Sequence, residues 1–102
     1  MIRLKTEFKK NGNSYQQLWR NDSNALYQGS YDRADGKKGY FYEVFKVTTQ
    51  KKGGFHTDDW ERYPSDEMFG VTAWCCESIE SLLKQVHKHF QDADLERFVQ
   101  GL

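Results

Sequence analysis

Residues 2–9 alternate between apolar and charged side chains: Ile2, Leu4 and Phe8 fall on one side, and Arg3, Lys5, Glu7 and Lys9 on the other. A period of two with one apolar side predicts a β-strand with one wet face. Asn11-Gly12-Asn13 follows, and Asn and Gly tolerate positive φ, so the chain is expected to turn back as a hairpin into a second strand over 14–20. The polar run at 21–24 makes the next turn and 25–31 the third strand. Residues 32–39, which hold Asp35-Gly36, turn again into 40–49 (YFYEVFKVTT), the longest and most apolar strand. Its pattern places it centrally, with both faces partly covered. The economical reading is a four-strand antiparallel meander.

The pattern lapses over 50–70, which reads as a long aromatic and acidic loop. It holds Gly53-Gly54, the stretch Asp58-Asp59-Trp60-Glu61 and the lone proline, Pro64. Ser65 ahead of two acids can cap one helical turn that Gly70 ends, and Phe55, Trp60, Tyr63 and Phe69 can lap the segment over the sheet. A fifth strand is expected at 71–76. The period then changes: Ile79, Leu82, Leu83, Val86 and Phe90 share one helical face, with Ser78 as N-cap and His87, Lys88 and His89 at the negative end. Asp92 caps a last short helix that turns Leu95, Phe98 and Val99 inward. The expected fold is α+β, a single domain over 1–102: a meander of four to five strands, an amphipathic C-terminal helix packed on one face, and a short terminal helix.

Composition sharpens this picture. Leu, Ile, Val and Phe make up only 21 of 102 residues, but three Trp and six Tyr add bulky surface, so the core should be thin and aromatic. No apolar run is long enough to span a membrane, and residues 1–10 lack a signal-peptide core, so the expected compartment is the cytoplasm. The adjacent Cys75 and Cys76 would face opposite sides of a strand and are read as reduced. The zero net charge is unevenly spread: residues 1–52 carry 11 Lys and Arg against 5 Asp and Glu, and residues 53–102 carry 4 against 10. That polarity would orient encounters with a charged partner.

Candidate chemistry is sparse. Lys38-Gly39-Tyr40-Phe41-Tyr42-Glu43-Val44-Phe45 satisfies six of the eight positions of the RNA-recognition strand signature and departs at Phe41 and Glu43. Such a strand can stack unpaired bases, but the helix that this module needs between its first two strands is missing from the pattern. His56-Thr57-Asp58-Asp59, near Glu61, Asp66 and Glu67, has metal-ligand chemistry without a ligand-loop spacing, and solvated loop charge explains it better. His87 and His89 stand two apart and diverge on a helix. A Cys75 or Cys76 nucleophile has no partner at readable spacing, and Gly53-Gly54 lacks the rest of a phosphate loop. No catalytic residue, metal or cofactor is expected.

The run Glu61-Arg62-Tyr63-Pro64-Ser65-Asp66-Glu67-Met68-Phe69-Gly70-Val71-Thr72-Ala73-Trp74, after the Tyr42 to Phe45 strand and before an amphipathic helix, resembles small uncharacterised proteins of bacteria, their phages and mobile elements. The likeness spans 40–90 and implies context alone, an accessory protein acting on a host or defence component. The leading expectation is a non-enzymatic protein-binding module, an adaptor or inhibitor. Its partner site is expected at Phe55, Asp58, Asp59, Trp60, Arg62 and Tyr63, because Trp, Tyr and Arg anchor interfaces. The alternative is single-stranded nucleic-acid binding through Lys38, Tyr40, Tyr42 and Lys46.

Overall fold

The computed structural model describes residues 1–53 and 58–102. Seven strands and two helices follow in order: β1 (Glu7–Lys10), β2 (Asn13–Arg20), β3 (Asn24–Asp32), β4 (Lys38–Lys46), β5 (Thr48–Gln50), β6 (Trp60–Arg62), β7 (Ala73–Cys76), α1 (Ile79–His89) and α2 (Ala93–Gln100). The fold is α+β. Five strands form one sheet in the order β1-β2-β3-β4-β7, and β5 and β6 form a separate two-stranded sheet. Every paired strand runs antiparallel to its neighbour.

Turn chemistry sets the meander. Asn11 and Gly12 both take positive φ, 52° and 80°, which matches the twist of the flanking strands and closes a two-residue hairpin. At the next turn the Asn21 side chain accepts the backbone N–H groups of Ser23 and Asn24 at 2.9 and 2.8 Å. The two helices begin on the residues expected to cap them: Ser78 accepts the Ser81 N–H at 3.1 Å, and Asp92 accepts the Leu95 N–H at 3.1 Å. Asp92 also takes the side-chain amides of Asn21 and Asn24, both at 2.8 Å, which pins the junction between the helices to the β2–β3 turn.

The sheet has two different faces. On one, Leu26, Val44 and Cys76 pack beneath Leu82, Val86, Phe90, Leu95 and Val99 of the helical layer. Trp74 stacks on His89 at 4.1 Å and meets Phe90 edge-on at 5.4 Å. On the other, Ala25, Tyr27, Phe45 and Ala73 pack with Leu4, Phe69 and Tyr63. Val44 and Phe45, neighbours pointing to opposite faces, are both fully buried, as expected of a central strand. Cys75 and Cys76 take opposite faces of β7, the first exposed and the second buried, and both are free thiols.

Three expectations need correction. The strand over 40–49 stops pairing with β3 at Lys46, because β3 itself begins at Asn24 opposite it. The chain there changes partner, with the Val47 N–H donating to Ser23 and β5 pairing with β6. The loop over 50–70 therefore contains a strand, too short to show a period, along with the expected turn of helix at Asp66–Met68 and a positive φ of 93° at Gly70. Ser65 sits ahead of that turn, but its side chain makes no capping hydrogen bond. Last, only Glu7–Lys10 of the first predicted strand joins the main sheet. Upstream the chain crosses to β6, where Ile2 exchanges backbone hydrogen bonds of 2.8 Å with Asp59 and Glu61, leaving its side chain 53% exposed.

Candidate functional site

The sheet face away from the helices is itself divided. Over one half, Tyr63 stands on a ring of aromatic neighbours: Phe45 at 4.9 Å, Phe8 at 5.1 Å, Tyr27 at 5.2 Å and Tyr15 at 6.0 Å between centroids. Most of these contacts are edge-to-face, the arrangement ring quadrupoles favour. Beside them Arg20 grips Glu61 with two hydrogen bonds, at 2.6 and 2.9 Å, and Glu61 also accepts the Leu4 N–H at 3.0 Å. The Glu61 side chain is only 6% exposed, and Arg20 holds its carboxyl below the usual range. One buried carboxylate thus clamps β2, β6 and the N-terminal segment together.

Over the other half nothing described covers the sheet. A cleft of about 1010 Å³ opens at the end where β2 and β4 begin and β3 and β7 finish, floored by Tyr15, Tyr31 and Phe41. Two glycines shape that floor. Gly29 stands opposite Phe41, and a β-carbon on it would lie 2.1 Å from the ring; Gly39 stands opposite Tyr31, and a β-carbon there would lie 2.2 Å from that ring. Each ring therefore occupies the space its cross-strand partner leaves empty, with one side left to the cleft. The three rings form a platform, Phe41 lying 5.6 Å from Tyr15 and 6.3 Å from Tyr31.

At the inner end of the platform sits Glu43, two residues along β4 from Phe41 and so on the same face. It is buried, 9% exposed, yet lines the cleft. Tyr63 donates its hydroxyl to Glu43 Oε1 at 2.6 Å, joining the covered half to the open one. Burial pushes the Glu43 carboxyl above its usual range; the hydrogen bond from Tyr63 and the neighbouring Cys75 thiol oppose the rise. Burial, reinforced by the negative charge of Glu43, drives the Tyr63 hydroxyl up as well. The same two causes push the Cys75 thiol up to about 11, so at neutral pH it is a thiol and a poor nucleophile. Glu77 lines the mouth of the cleft, as do Arg33 and Lys38. Those two cations are already engaged, Arg33 with Asp35 at 3.0 Å and Lys38 with Asp32 at 2.8 Å.

The residues expected to bind a partner are dispersed. Phe55 lies outside the described residues, as does His56 of the weighed metal centre. Asp58 meets the N-terminal amine at 2.6 Å, and Asp59 accepts the Lys52 N–H at 2.8 Å. Trp60 is half-buried on β6 in register with Gln50, Arg62 is exposed, and Tyr63 belongs to the aromatic cluster. The nucleic-acid set shares the helix-side face of β4 without forming one patch. Lys38 is paired with Asp32, Tyr40 is 51% exposed, Tyr42 packs against the helical core, and Lys46 stands 5.9 Å over the Phe90 ring. The expectation had no signal for the cleft, although one was present: Gly29 and Gly39 interrupt strands, and each falls opposite an aromatic once the hairpin register is drawn.

Among the described residues no group of three His, Cys, Asp or Glu side chains gathers as metal ligands would, and no helix is long and apolar enough to cross a membrane. No known family, curated protein or solved structure matches this chain.

Proposed function

We propose that this chain is a non-enzymatic protein-binding module whose contact surface is the aromatic cleft on the open half of the sheet. The observation that carries this reading is the platform of Tyr15, Tyr31 and Phe41, with two of its rings laid over glycines and one side of each presented to solvent. Rigid aromatic area offered at little entropic cost is what interface anchors consist of. The high pKa of the Cys75 thiol fits a binding role better than a nucleophilic one. The resemblance of residues 61–74 to small phage and mobile-element proteins points, by association, to an adaptor or inhibitor.

A second reading has its own observation: Tyr31 is an exposed ring on the platform, and flat rings also stack bases. One experiment separates the two. The tagged chain is used to capture partners from native lysate, with and without nuclease, beside a variant carrying Tyr31→Ser and Glu77→Lys, both at exposed positions. A stoichiometric protein that survives nuclease and is lost with the variant supports the module. Nuclease-sensitive recovery that fades with added salt supports the nucleic-acid reading. A protein captured equally by both forms would place the interface elsewhere.

A further inference from the structure

Resting on the protein-binding reading, we infer that the cleft seats a basic side chain of the partner polypeptide, arginine or lysine, with its stem along Tyr31 and Phe41 and its charged head at Glu43. Three features select this chemistry. Glu43 is a buried acid with one oxygen committed to Tyr63; among the described residues no cation forms an ion pair with it, and Lys10 acts on it only through its charge. The cations closest to the cleft, Arg33 and Lys38, are held by their own aspartates at its outer rim. The inner end is left with Glu43 and ring faces, with Glu77 at the mouth, the surroundings in which a guanidinium or ammonium gains both a charged hydrogen bond and a cation–π contact.

The cleft disfavours the opposite chemistry for the same reason. A phosphate or carboxylate entering it would meet the carboxylates of Glu43 and Glu77 in its lining, where the two lining cations are already paired. An apolar side chain would fill the platform but leave the second oxygen of Glu43 walled off from water without a donor stronger than the Cys75 thiol. A basic side chain satisfies both: its stem covers the rings and its head reaches the acid.

The test uses the isotope-labelled full chain, titrated with an acetylated and amidated Gly-Gly-Arg-Gly-Gly peptide and followed by amide chemical shifts. A second peptide carries citrulline, the neutral isostere, in place of arginine. The arginine peptide is expected to move the amides of Tyr15, Phe41, Glu43 and Cys75, and to bind about ten-fold more tightly than the citrulline peptide. Glu43→Gln, which keeps an amide oxygen for the Tyr63 hydroxyl, should erase that difference while leaving the rest of the spectrum in place. Equal shifts from both peptides would overturn the cation assignment and leave the platform reading standing. Shifts from neither peptide would overturn it too. Loss of the broader reading would show separately, as capture of a partner indifferent to Tyr31→Ser and Glu77→Lys. A short oligothymidylate that moves these amides when the arginine peptide does not would replace the basic side chain with a base.

Discussion

The two halves of the sheet face away from the helices are built from the same material and end differently. Both are floored with tyrosine and phenylalanine, and both carry a carboxylate brought in among the rings. In the covered half Tyr63 closes over Phe8, Tyr27 and Phe45, and Glu61 meets a guanidinium. In the open half no ring closes over Tyr31 and Phe41 among the described residues, and Glu43 meets only a hydroxyl and a thiol. The two carboxyls accordingly move in opposite directions, Glu61 below and Glu43 above the ordinary glutamate range. Composition alone does not separate core from surface in this chain; whether a segment crosses over the rings does. The residues that cross are Leu4, Val47, Tyr63 and Phe69, so one half of the face is core and the other is available.

If that division holds, removing the closing ring should be the most damaging single change. Tyr63→Ala deletes a side chain in contact with four aromatic neighbours and leaves Glu43 without its donor. A loss of about 3 to 5 kcal/mol is expected in urea denaturation at neutral pH. A loss below about 1 kcal/mol would mean that the covered half is no more closed than the open one.

Glu61→Gln comes next, because it breaks a two-pronged ion pair whose acid is buried and whose arginine is partly exposed. About 2 kcal/mol is expected, less than for a fully buried pair since Arg20 can still reach water. The sign with pH follows from the lowered carboxyl. Its stabilisation is present above the unfolded glutamate value of 4.5 and disappears as pH falls through the lower folded value. The wild-type chain should lose stability on acidification across that window, and Glu61→Gln should flatten the slope; an unchanged slope would count against the clamp.

Gly29→Val addresses the open half alone. The new side chain cannot share space with the Phe41 ring, which must swing off the sheet and into the cleft. About 1 to 2 kcal/mol is expected, since the clash is with the mobile end of one side chain. The ring contact between Tyr15 and Phe41 should vanish from nuclear Overhauser spectra while those of Tyr63 persist. Disturbance of both halves together would show that they form one packed unit.

Local turns and caps are legible in the sequence, and the long-range pairings that close one half of the face and shape the other are not. Asn11-Gly12, Ser78 and Asp92 act through their own backbones, so local chemistry reveals them. The alternation at 2–9 marks Leu4 and Phe8 correctly as inward, while Ile2 escapes because its segment leaves the main sheet for β6. β6 itself is three residues long and carries no period. Arg20 and Glu61 stand 41 residues apart and Tyr63 and Glu43 stand 20 apart, so neither pair exists until the chain has folded. In sequence Glu43 is a flaw in an aromatic strand; in space it is the polar end of a cleft.

The smallest expected change is also the sharpest, because its sign is opposite to that of Glu61. Glu43 has a raised folded pKa, so its favourable contribution is fully present only below the unfolded value of 4.5 and is lost as pH rises through the folded value. At neutral pH the charged form is therefore a burden on the fold. Glu43→Gln removes that burden and keeps an oxygen for the Tyr63 hydroxyl, so the variant should be within about 1 kcal/mol of wild type at neutral pH, with any difference in its favour. Tyr63→Phe should do the reverse, withdrawing the bond that holds the carboxylate down and raising the Glu43 pKa further, which carbon-13 titration of the carboxyl would read directly. A Glu43→Gln variant clearly less stable than wild type at neutral pH would show that this acid serves the fold as Glu61 does. The open half would then lose its distinction from the covered one.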